Sequence, residues 1–262
     1  MFFPLMKTDD LEGFLDLLYY PPNNWENRIR KPIYLYLLWC DGLVWKTELI
    51  FTIKYGESLR ISTQDIDGEK IANGLVLIYP SRTKMASVIG QLPNEESWTS
   101  HIPEWRNTTG FANEWTQTSY QGEVVPLPRR ANLLTFHPFI QYGSLSNKLL
   151  ILNLSNEPVF RSSQILLFNS STKELKGTET VQTNSVTTIE LDKYDFQSDE
   201  LPVFYSPDMA GIPFGLCISD DKKMLSMEHT HPPASFVLFG DRLKAQGLIK
   251  KNWINSLMAA QS

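Results

Sequence analysis

Cysteine is scarce, with Cys40 and Cys217 alone among 262 residues, so no disulfide framework holds this chain together. Each lies inside an apolar run, where a free thiol behaves as a small buried hydrophobe. Only four histidines occur, and no run approaches the 18 uninterrupted apolar residues of a membrane-crossing helix. There is no excess of positive charge: the formal net charge is -5, which disfavours nucleic acid and anionic bilayers as partners. No Gly-rich phosphate loop, no GxGxxG between a strand and a helix and no GxSxG elbow is present. The start, MFFPLMKTDDLEG, has no basic leader followed by a long apolar stretch, and the expectation is a cytoplasmic chain. On that expectation the sequons at Asn107, Asn153 and Asn169 are chance matches.

What remains is an ordinary globular composition, 42% hydrophobic and 20% charged, long enough for one large domain or two smaller ones. Asp9-Asp10-Leu11-Glu12 offers an N-cap and a capping box ahead of Phe14, Leu15, Leu17 and Leu18, so residues 1–30 read as a short helical lead. From Lys31 the pattern changes to short runs rich in Ile, Val, Tyr, Trp and Thr, broken at Asp41-Gly42, Tyr55-Gly56 and Asp67-Gly68. Strands are expected near 33–40, 44–54, 58–63, 74–80 and 84–90. They resume near 133–140, 148–154, 163–169, 177–183, 186–191, 202–205, 214–218 and 224–230. Between the two series, 91–132 holds scattered prolines and three tryptophans and reads as a long loop.

The fold class is therefore all-β: two tandem, related β-sandwich-like halves, 31–132 and 133–240, followed by an amphipathic helix over 241–262. LVLIYPSRTKMASVI (75–89) aligns with FGLCISDDKKMLSME (214–228), and SLRISTQDI (58–66) with SVTTIELDK (185–193), as a duplicated unit would require. The last helix carries Ile249, Trp253 and Leu257 at i, i+4 and i+8. That stripe packs on the body or mediates homo-oligomerisation, as an edge strand also can.

Two features can carry function. Trp98, Trp105, Arg106, Trp115 and Tyr120 place flat rings among amides, carboxylates and a guanidinium, a composition suited to stacking on a carbohydrate or to a protein hot spot. The same rings can instead form the underside of a long loop. The second feature is Glu228-His229-Thr230-His231, where strand alternation points both imidazoles to one face. With a third ligand such as His137, the pair would hold Zn or Fe. The spacing is similar to the metal strand of cupins, but Pro232-Pro233 follows and no acidic residue comes before Asp241, so no family is assigned.

The leading expectation is a non-catalytic binding or assembly protein, needing no cofactor, that recognises a glycan, peptide or partner subunit through sandwich loops. A metal-dependent enzyme centred on His229 and His231 is the alternative. That alternative predicts near-stoichiometric zinc or iron by elemental mass spectrometry, lost in a folded His229→Ala/His231→Ala double variant.

Overall fold

A computed structural model of the chain describes residues 2–19, 32–93, 105–128, 131–136, 145–197, 200–229 and 242–261. The described chain is built of antiparallel strands and one C-terminal helix, as an all-β fold requires. It divides into two compact units: residues 1–126 with 154–160 and 184–186, and residues 127–153, 161–183 and 187–262.

In the first unit the strands are β1 (Phe3–Met6), β2 (Glu12–Tyr19), β3 (Ile33–Cys40), β4 (Trp45–Ile53), β5 (Ser58–Ser62), β6 (Leu75–Ser81), β7 (Val88–Ile89), β8 (Trp105–Ala112) and β9 (Gln117–Tyr120). They form two sheets, in the orders β1-β6-β3-β4-β7 and β5-β2-β8-β9. Alternation sends Leu35 and Leu37 from one sheet and Leu15 and Leu17 from the other into a common core with Phe3, Ile61 and Ile78.

The second unit contains β10 (Leu133–Phe136), β11 (Leu145–Asn153), β12 (Ser162–Asn169), β13 (Leu175–Gln182), β14 (Ser185–Glu190), β15 (Pro202–Ser206), β16 (Ile212–Ser219) and β17 (Leu225–His229), with α1 (Arg242–Ala259) after them. The sheet orders are β10-β15-β12-β13 and β14-β11-β16-β17. Strand for strand this is the order of the first unit, with two-residue β7 lacking a counterpart. The agreement extends to detail. β3 and β12 each show a register shift against the next strand, at Leu35/Tyr36 and Leu167/Phe168. A 3-10 turn follows both β5 and β14, at Thr63–Asp65 and Leu191–Lys193. The core of the second unit likewise combines Leu149 and Ile151 with Ile165, Leu167, Ile189 and Phe204.

Three expectations are corrected. Residues 12–19 are a strand, not a helix: β2 lies between β5 and β8, and its Phe14/Leu15 and Leu17/Leu18 pairs serve two faces. Pairing along both edges of β2 outweighs a capping pattern whose helix would be too short to nucleate on its own. The 91–132 stretch is not all loop, because β8 and β9 form a hairpin there; Pro126 and Pro128 lie after it, and Pro93 before it. Finally, β6 of the 75–89 segment corresponds to β15, whereas 214–228 covers β16 and β17, the counterparts of β8 and β9. Strand-turn-strand segments share composition whatever their place in a sheet. The other alignment does fall on equivalent strands, β5 and β14.

The first sheet of the second unit is apolar on both faces. Ile165 and Leu167 face the sandwich core, while Leu166, Phe168, Val203 and Tyr205 face α1, which contributes Leu257, Trp253 and Ile254. Trp253 meets the Phe136 ring edge-on at 5.0 Å, and the Lys173 ammonium lies 3.6 Å from its centroid. The expected helix stripe is used only in part, since Ile249 stays exposed. No helix among the described residues is long and apolar enough to cross a membrane. Because the Leu257 side chain is fully buried, Leu257→Ala should lower stability by about 2–5 kcal/mol in chemical denaturation. A loss within about 0.5 kcal/mol, the size of a surface change, would show that α1 is not part of the folded second unit.

Candidate binding face on the first unit

The sheet β5-β2-β8-β9 turns Leu15, Leu17 and Ile61 to the core and presents the alternate residues on its other side. There Asp16 stands opposite Arg60 and Thr108, while Phe14 stands opposite Ser62 and Gly110. Arg60 donates from Nε to Asp16 Oδ1 at 2.7 Å and from Nη2 to Oδ2 at 2.6 Å, a two-pronged pair. Its Nη1 reaches Gln117 Oε1 at 3.3 Å, so the side chain crosses the sheet from β5 toward β9. On the way its guanidinium lies 4.2 Å from the Phe14 ring centroid. The hydrogen bond and negative charge of Asp16 hold the Arg60 pKa above its ordinary value.

Gly110 and Ala112 occupy the β8 positions on this side, and a Cβ on Gly110 would come within 2.8 Å of the Phe14 ring. Glu12, opposite Ala112, accepts from Ser62 Oγ at 2.6 Å and from Gln64 Nε2 at 3.1 Å. At the end of this sheet the β8–β9 turn is tied by Asn113, whose Oδ1 accepts the backbone N–H of Trp115 at 2.8 Å and of Thr116 at 2.9 Å. Trp115 at the tip is 60% exposed.

Of the ring-rich set from the sequence, the described members Arg106 and Trp115 stand apart. Trp98 lies outside the described residues, as does the Trp105 side chain, although Trp105 is placed at the start of β8 opposite Tyr19. Arg106 is exposed beside it, opposite Leu18. From there to Ala112 is six residues of strand, roughly 20 Å, so the Arg106 and Trp115 ends of β8 are separate. Tyr120 stands opposite Thr109, its hydroxyl pKa raised by burial and by the charge of Glu123. Arg60, Asp16, Phe14 and Gln117, which do assemble, were not candidates in the sequence: 44 residues separate Asp16 from Arg60. Only strand pairing joins them.

The metal candidates fall largely outside the described residues. His229 ends β17 opposite Phe214, while its side chain, His231 and His137 lie outside the described residues. Among the described residues no three of His, Cys, Asp and Glu are gathered for a metal ion. The cysteines are free. Cys40 receives hydrogen bonds from Gly42 N–H and Asn184 Nδ2, and Cys217 donates to Asn147 Oδ1 at 3.2 Å. Burial, with Asp192 and Glu228 nearby, pushes the Cys217 thiol up to about 11. No protein-family model matches the chain, and no curated protein or solved structure matches it either.

Two outcomes follow. Trp115→Ala should leave the unfolding midpoint unchanged, with a stability difference within about 0.5 kcal/mol; a large loss would make the ring structural. Native Cys217 at pH 8 should alkylate with iodoacetamide roughly 100-fold more slowly than an unperturbed thiol, because its thiolate fraction falls tenfold per unit of raised pKa. Its rate should climb as pH rises toward 11.

Proposed function

We propose that this chain is a non-catalytic binding or assembly protein, recognising a glycan, a peptide or a partner subunit through the β8–β9 end of its first sandwich. The observation that carries the reading is Trp115. A large ring 60% exposed at a hairpin tip presents contact area to a partner, and Asn113 fixes its backbone in advance. Such a ring supplies contact area without first having to be ordered.

The reading includes a reducing compartment, the cytoplasm. Two free thiols support it, as do the three sequon asparagines, all buried with their amides donating: Asn107 to Gly122 O, Asn153 to Ala210 O and Asn169 to Glu200 Oε1. None of these amide nitrogens offers itself to a glycosyl donor.

The test is binding of the labelled full chain to arrays of immobilised glycans and of peptides, beside a folded Trp115→Ala variant. Binding to one array class that weakens at least about tenfold, or 1.4 kcal/mol, in the variant is the expected result. Equal binding by both proteins would remove Trp115 from the site, and no binding to either array would overturn the reading.

A further inference from the structure

Resting on that binding reading, we infer that the outward side of β5-β2-β8-β9 is a stacking platform for a neutral oligosaccharide, with the Arg60–Phe14 plate at its centre and Trp115 at its end. The Arg60 guanidinium is held by its edges. Its Nε and Nη2 point along the plane into the Asp16 carboxylate, and Nη1 points to Gln117. These edge-on bonds use three of the five N–H groups and pair the charge with Asp16, which weakens its pull on a phosphate or a carboxylate ligand. The guanidinium carbon lies 4.2 Å from the centroid of the buried Phe14 ring, while the Arg60 side chain as a whole remains 47% exposed. What the plate offers to a ligand is therefore a flat surface rather than a charged fork.

A pyranose ring fits such a surface, because it has an apolar C–H side for stacking and a hydroxyl rim that needs both donors and acceptors. The rim groups are present on rigid strands: Glu12 and Gln117 flank Ala112, two strand spacings apart, roughly 10 Å. That distance is on the scale of two sugar units, and the intervening Ala112 and Gly110 raise no side chain between them. Charge argues the same way. Around the Arg60 guanidinium, Glu12 and Asp16 outnumber the one arginine, which disfavours a polyanion. The corresponding sheet of the second unit also joins its first two strands by an ion pair, Lys148–Glu190 at 3.0 Å, but its outward residues Leu150, Leu152, Phe214 and Leu216 are apolar and buried. A guanidinium continuing from its carboxylate partner to the fourth strand thus occurs on the first of these two topologically equivalent sheets.

The experiment is a titration of the isotopically labelled full chain with cellohexaose, xylohexaose, chitohexaose and maltohexaose to millimolar concentration. The Arg60 Nε–H and Trp115 indole signals are followed by nuclear magnetic resonance. Saturable shifts of both signals with at least one hexasaccharide, weakened about tenfold in Arg60→Lys and in Gln117→Ala, are expected. Lysine keeps the charge but loses the plate, and both positions are at the surface, so each variant should keep the wild-type melting curve. Absence of saturable shifts with all four sugars, or shifts retained in Arg60→Lys, would overturn the inference. Trp115-dependent binding on the peptide array alone would also overturn it while leaving the wider binding reading intact; silence on both arrays would overturn both.

Discussion

Burial of both sides of a sheet is the constraint from which the organisation of each unit follows. A two-layer sandwich needs one apolar side per sheet, yet β10-β15-β12-β13 is apolar on two. The second side must be covered, and α1 does this with Leu257, Trp253 and Ile254. Fully burying one such aliphatic side chain contributes about 1.5–3 kcal/mol, so the helix is an integral third layer of its unit. In the first unit, β1-β6-β3-β4-β7 also has apolar residues on its outward side, among them Tyr36, Leu38, Cys40 and Trp45. There the contacts come from irregular chain: Trp45 Nε1 donates to Asn156 O, Asn184 donates to Cys40, and Met85 N–H donates to the Tyr36 hydroxyl.

Asn184 illustrates how such irregular chain is held. It adopts a left-handed backbone, φ 56°, which asparagine tolerates better than most residues. Its amide donates to Glu157 O and Val159 O as well as to Cys40, while its carbonyl accepts from Ser155 N–H at 2.8 Å. Every polar atom of a buried side chain is thus satisfied, and the 154–160 segment gains an anchor without secondary structure of its own. Prolines obey the same bookkeeping of backbone donors. Pro80 in β6 and Pro213 in β16 sit where only one neighbouring strand pairs, so the missing N–H leaves no gap in a ladder.

The strand order shared by the units makes their difference informative. Equivalent positions carry the core of each sandwich, and both hairpins after β3 and β12 begin with a side-chain oxygen taking two backbone N–H groups, from Asp41 and Asn169. Against that common frame, β5-β2-β8-β9 stands out because the Arg60 side chain runs across its outward side from Asp16 on β2 to Gln117 on β9. Arg60 contributes little to stability as an exposed ion pair. Its geometry is set by Asp16, Gln117 and Phe14 together.

Alternation of apolar and polar residues determined a great deal locally: the β-rich class, most strands to within a few residues, and the terminal helix over 242–259. It could not determine β2, whose apolar residues on both sides have a spacing compatible with a helix until β5 and β8 supply edges to pair with. Nor could it place β8 and β9, whose polar and aromatic residues carry a weak period. The exposed Trp115 was legible as a ring among polar residues, but its separation from Arg106 depends on both lying at opposite ends of one strand. Arg60, Asp16, Phe14 and Gln117 had no motif to mark them, since residues 44 and more apart become neighbours only when a register is chosen. The sequence by itself thus determined which segments are strands and which side of most of them is apolar. Tertiary structure decided which strands are adjacent, and hence which polar side chains share a surface, because that choice is made by pairing energy summed over whole sheets.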